Sequence, residues 1–170
     1  MRSLPLARAG ILACGSYLVT GFVAVPLAAC SDEEVCSDYT PPASFDATTP
    51  AVSFSREVMP IFTASCANTQ CHGSTSGTSN GVFLGGTDAG RIHRAIVDVR
   101  SSKLQTMSYV KPGDPRESFL MRKIDGSHCV LDAQCANGDC GNSMPRNDDR
   151  LAIETRDTVR RWIAQGAKND

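Results

Sequence analysis

The 170-residue chain has little aromatic character, with phenylalanine, tryptophan and tyrosine together at 6% and a single tryptophan. It has almost no charge imbalance either. Seventeen basic residues face eighteen acidic ones, a formal net charge of -1, which leaves no electrostatic case for nucleic acid as a partner. No useful run of alternating apolar and polar residues occurs, so no sheet is predicted and the fold class reads as all-α. The length suffices for one domain together with targeting and tethering segments.

Cysteine, by contrast, is plentiful. Eight in so short a chain would be odd in a reducing cytosol and fit an oxidising compartment or metal and cofactor chemistry. The N-terminus bears on that choice. Arg2 and Arg8 precede an apolar run from Ile11 to Ala29, the layout of a secretory signal. Its end, Leu27-Ala28-Ala29-Cys30, resembles a bacterial lipoprotein signal. That resemblance implies cleavage before Cys30, lipidation of Cys30, and an exported protein anchored by lipid to a bacterial membrane on its periplasmic or cell-surface side. An uncleaved membrane anchor is the alternative, but Gly15, Ser16, Gly21 and Pro26 interrupt the run. Removing residues 1–29 takes away two arginines and no acid, leaving fifteen bases against eighteen acids, a net charge of -3.

Residues 30–52 hold acids, serine, threonine and three prolines with little apolar periodicity, and read as a lipidated flexible tether. Such a segment has an r.m.s. reach of about 25 Å. The folded domain is expected over 53–170. Ser53 or Ser55 can cap a first helix carrying Phe54, Val58, Ile61 and Phe62, with Pro60 either early in it or kinking it. Residues 73–90 read as loop, anchored by Val82-Phe83-Leu84. Short helices are expected over Arg91–Val99 and from Ser118 to Ile124, and a longer one over Asp149–Ala167, where Leu151, Ile153, Val159, Trp162 and Ile163 make an apolar face and Gly166 a C-cap.

The first of these helices delivers Cys66-Ala67-Asn68-Thr69-Gln70-Cys71-His72. In an exported chain, two thiols followed by an imidazole suit covalent haem attachment: the thiols add to the haem vinyls and the histidine reaches the iron. The usual spacing places two residues between the cysteines, and here there are four. A Cys66–Cys71 disulfide is the competing reading. Zinc needs a further ligand pair, which the cysteines of 129–140 would have to supply.

Taken in order, Val58-Met59-Pro60-Ile61-Phe62, the Cys66–His72 cluster, Val110-Lys111-Pro112-Gly113-Asp114-Pro115 with Ser118-Phe119-Leu120, then Met144-Pro145 and Trp162-Ile163-Ala164-Gln165-Gly166-Ala167 resemble a class I c-type cytochrome domain. The resemblance covers residues 53–167. It implies a small helical fold around one covalently bound haem c, with the first and last helices crossing, thioethers at Cys66 and Cys71, His72 as proximal iron ligand and Met144 as distal ligand. His93 or His128 would give a bis-histidine site instead. His93 reads otherwise as a polar residue on the exposed side of its helix, and His128 as part of a polar insertion without an obvious partner. Met59, Met107 and Met121 read as core or surface residues.

With imidazole and thioether on the two axial positions no substrate position stays open, so the expected activity is outer-sphere electron transfer with a redox partner protein. Peroxidases of this fold usually carry two haem sites, and this chain has one Cys-His cluster, so the reading is an electron carrier rather than a substrate-converting enzyme. The alternative is a haem-free, disulfide-stabilised structural or binding lipoprotein. Beyond the compact family pattern lies the insertion from Cys129 to Cys140. With Cys30 lipidated and two cysteines on haem, Cys36, Cys129, Cys135 and Cys140 are left, which allow three pairings. We expect two disulfides stapling the insertion, one of them tying Cys36 to it and stiffening the segment before Met144. A docking or metal-binding loop using Asp132 and Asp139 is the other possibility, without a calcium-loop pattern.

Overall fold

A hydroxyl at Ser53 starts the ordered helices. Its Oγ accepts from the Arg56 N–H at 3.4 Å, while the Glu57 carboxylate accepts from the Ser53 N–H at 2.5 Å, a reciprocal cap of the capping-box kind. The computed structural model describes residues 36–76 and 81–170. The signal-peptide and lipid-anchor readings, with Cys30, fall outside the described residues. The first turn, Phe54–Val58, is π-helical and hands over to α1, Met59–Ser65, which has Pro60 in its opening turn. There the missing N–H of proline costs nothing, because the first turn of a helix has no internal acceptor for it.

Three further α-helices follow: α2 (Ala89–Ile96), α3 (Phe119–Ile124) and α4 (Ile153–Ala164). The Asp88 carboxylate caps α2 by accepting from Arg91 N–H at 2.9 Å. Gly166, at φ +98°, lets α4 end in a Schellman motif: Ala167 N–H donates to Trp162 C=O at 2.9 Å and Gly166 N–H to Ile163 C=O at 3.0 Å. Among the described residues there are no strands, and the extended pieces between α2 and α3 touch through isolated bridges such as Val97–Val110. The fold is therefore helical, as the composition led us to expect.

The ends of the domain meet in its core. Phe54 stacks on Trp162 with ring centroids 4.9 Å apart, and Phe62 stands edge-on to Phe54 at 6.2 Å. Ile92, Val110, Met121, Val159 and Ile163 complete the buried cluster around them. The backbone closes the same junction: Ser55 N–H donates to Asp170 C=O at 3.1 Å and Phe54 N–H to the Asp170 carboxylate at 2.8 Å.

The flexible-tether expectation does not hold for residues 36–52. Cys36 is disulfide-bonded to Cys129, and the second disulfide joins Cys135 to Cys140. The Asp38 carboxylate accepts from Arg122 at 2.5 Å and Arg116 at 3.2 Å, and the Arg122 hydrogen bond in particular holds it below its usual pKa. Tyr39 is buried, its hydroxyl accepting from Arg160 Nε at 2.8 Å, and Arg160 in turn donates to Asp125 at 2.6 Å. Gln165 holds the far end of the strap, donating to Pro50 C=O at 2.9 Å and accepting from Val52 N–H at 2.9 Å. A polar, proline-containing segment can thus be fixed by point anchors without any periodic apolar face.

Candidate functional site

The Cys-His segment leaves α1 as a tight, self-bonded loop. Ala67 N–H donates to Phe62 C=O, Cys71 N–H to Asn68 C=O at 2.8 Å, and His72 N–H back to Cys66 C=O at 3.1 Å. Gly73 is required by this winding: a Cβ built on it would stand 2.0 Å from the Ala67 carbonyl oxygen. The loop then runs against the Val82–Leu84 anchor, where Leu84 N–H donates to His72 C=O at 2.8 Å.

That anchor also orients the imidazole. His72 Nδ1 lies 3.0 Å from Val82 C=O, and since a carbonyl only accepts, the proton of this bond sits on Nδ1. Nε2 then carries the free lone pair, the tautomer in which a histidine ligates a metal while its other nitrogen is held by the protein.

A cleft of about 340 Å³ opens beside the loop, within the 300–1,000 Å³ typical of small-molecule sites. Cys71 and His72 line it, as does Met144, and Phe62, Leu84 and Leu120 supply apolar walls. Met144 is partly buried and packed on the main core, and its N–H donates to Lys123 C=O at 3.0 Å. So α3 positions the methionine through its backbone.

Cys66 is placed differently. It is a free thiol, as is Cys71, but it is half-buried against the core and not on the cleft wall. Burial pushes its pKa up to about 11, with Cys71 adding to the rise. Cys71 is exposed.

The other ligand readings end elsewhere. His93 is not simply an exposed polar residue: it is half-buried, edge-on to Phe54 and Trp162, with Nε2 2.7 Å from Ala167 C=O. His128 is buried at the start of a 3₁₀ helix, His128–Gln134, and lines a different, more polar cavity. Neither borders the cleft of Cys71 and Met144. Met59, Met107 and Met121 are all buried. The three cysteines of 129–140 that a zinc site would draw on are in disulfides, and among the described residues no group of three or more His, Cys, Asp or Glu side chains is arranged to hold a metal ion. No helix among the described residues is long and apolar enough to cross a membrane.

Three cations on the cleft wall, Lys103, Lys123 and Arg146, were not anticipated from sequence. Nothing in the local pattern of α3 marks Lys123 as inward-facing, because it follows Arg122 in what reads as a basic helix end. Comparison with protein-family models, with curated proteins and with solved structures gave no match to this chain.

Proposed function

We propose that this protein is a monohaem c-type cytochrome, tethered to a membrane through Cys30, that passes single electrons to and from a protein partner. The observation that carries this reading is the meeting of Cys71, His72 and Met144 on one largely apolar cleft, together with the Val82 carbonyl that leaves His72 Nε2 free. An imidazole nitrogen, a thioether sulfur and a thiol in one pocket are the two iron ligands and one of the two thiols that haem c would use.

When bound, the haem supplies a one-electron iron centre. The chain's own contribution is two donors on one cleft, His72 and Met144, which would hold the iron. The soft thioether favours the ferrous state, and the carbonyl of Val82 keeps the imidazole in register. Cys66 and Cys71 would hold the cofactor through thioethers, a thiol addition across a vinyl group that needs no oxidant. Cys71 stands on the cleft wall for this reaction. Cys66, packed against the core behind the cleft wall, would supply the second thioether. Val82, Leu84 and Ile96 add apolar surface to the cleft wall.

Expression with a cytochrome maturation system tests the reading. The reduced pyridine haemochrome band and a mass gain of one haem are expected. No band, combined with a peptide map joining Cys66 to Cys71, would replace it with the haem-free, disulfide-stabilised lipoprotein.

A further inference from the structure

The axial donors leave one feature of the cleft unexplained, which is its charge. Lys123 lies in α3 with 8% of its surface exposed. Its Nζ donates to Cys140 C=O at 2.9 Å and sits 5.7 Å from the centre of the Phe119 ring, so a carbonyl and a ring face solvate one side of the ammonium. Among the described residues no carboxylate forms an ion pair with it. Lys103 and Arg146 border the same cleft, and no aspartate or glutamate does. Asp132 and Asp139 act on Lys123 from outside the lining.

Burying a charge without an ion-pair partner costs several kcal/mol, a cost that the opposite charge of a bound ligand would offset. Gly141, at φ +77°, passes beside these cations: a Cβ built on it would lie 3.7 Å from Lys123 Nζ and 4.0 Å from Lys103 Cε. An apolar cleft with a cationic edge and no acid calls for an occupant that is flat and apolar over most of its area and anionic at one edge.

We infer that Lys123 is a positioning residue that pairs with a carboxylate of the cleft's occupant, with Lys103 and Arg146 completing the cationic edge of the site. Resting on the function proposed above, the carboxylate is one of the two that haem carries. The pairing fixes which edge of the cofactor faces the segment before Met144. A buried positive charge on the cleft wall would also favour the reduced form of a bound haem, so Lys123 would raise its reduction potential.

The test compares wild type with Lys123→Met and Lys123→Arg, each matured in the same host. Haem content is read from the pyridine haemochrome, and the potential from a spectroelectrochemical titration at pH 7. Lys123→Met is expected to attach haem and shift the reduction equilibrium about tenfold toward the ferric form, ~59 mV for one electron. Lys123→Arg is expected to recover most of that shift. Lys123→Gln, which retains a donor for the Cys140 carbonyl, takes the place of the methionine variant if that one does not accumulate. Haem in all variants with equilibria within twofold of wild type overturns the role of Lys123 and leaves the cytochrome reading intact. Equal falls in the Met and Arg variants mean packing rather than charge, and also overturn it. A wild type that attaches no haem overturns both.

Discussion

Removing the Cys36–Cys129 disulfide should cost far more stability than removing Cys135–Cys140, although both lie at the same insertion. The two bridges close loops of very different length, with sequence separations of 93 and 5. If a cross-link acts mainly by restricting the unfolded chain, the loop-closure relation gives about 4.6 kcal/mol for the long bridge and about 2 kcal/mol for the short one at 25 °C. Against a total of roughly 5–15 kcal/mol for a typical domain, the first is a large share. The long bridge also holds the end of the strap next to Asp38 and Tyr39, whose ion pair and buried hydroxyl would otherwise be free to fray. Urea unfolding of Cys36→Ser/Cys129→Ser and Cys135→Ser/Cys140→Ser, followed by circular dichroism, measures both. The double-serine variant of the long bridge should also show a larger slope against urea, because its unfolded chain is less compact. Losses that are equal, or larger for the short bridge, would refute the loop-length reasoning.

The winding of the Cys-His loop predicts that Gly73→Ala destabilises by about 3 kcal/mol, at the upper end for overpacking, since the new Cβ meets a backbone oxygen rather than a movable side chain; a change below about 0.5 kcal/mol by urea unfolding would show that the loop adapts. In haem-free protein, Cys66 with its pKa raised to about 11 is about one-thousandth thiolate at pH 8. Its iodoacetamide rate should climb about tenfold per pH unit until near pH 11, read by mass spectrometry, and a plateau below pH 9 would contradict the burial argument. In matured protein, Met144→Ala should turn a ferrous form that binds carbon monoxide slowly into one that binds it at once, whereas rapid binding by wild type would argue against Met144 on the iron.

Where one residue sufficed to set local structure, the sequence was readable. Ser53 caps the first turn, Pro60 stands early in α1, and Gly166 ends α4; each acts through its own backbone chemistry. Val82-Phe83-Leu84 was legible as an anchor because it is apolar in a polar stretch, but that its Val82 carbonyl orients His72 depends on how the loop closes in space. The strap of 36–52 was misread because its contacts are point anchors: Tyr39 on Arg160, Asp38 on Arg122 and Arg116, Gln165 on the backbone of 48–52. Tyr39 and Phe45, two aromatics among acids and prolines, were the available signal. Likewise, the pairing of Cys36 with the insertion followed from counting cysteines, while the choice of Cys129 over Cys135 or Cys140 required the fold. Lys123 was hidden because a lysine near a helix C-terminus is ordinarily solvated, and its burial comes from the stapled segment folding over it.

The central claim is that the loop from Cys66 to His72 holds a haem despite its wide spacing. Tandem mass spectrometry of the proteolytic peptide containing both cysteines, from protein made with a maturation system, tests it most directly. One haem linked through both Cys66 and Cys71 is the predicted result. The same peptide with no added haem, its two sulfurs joined to each other, would contradict the account.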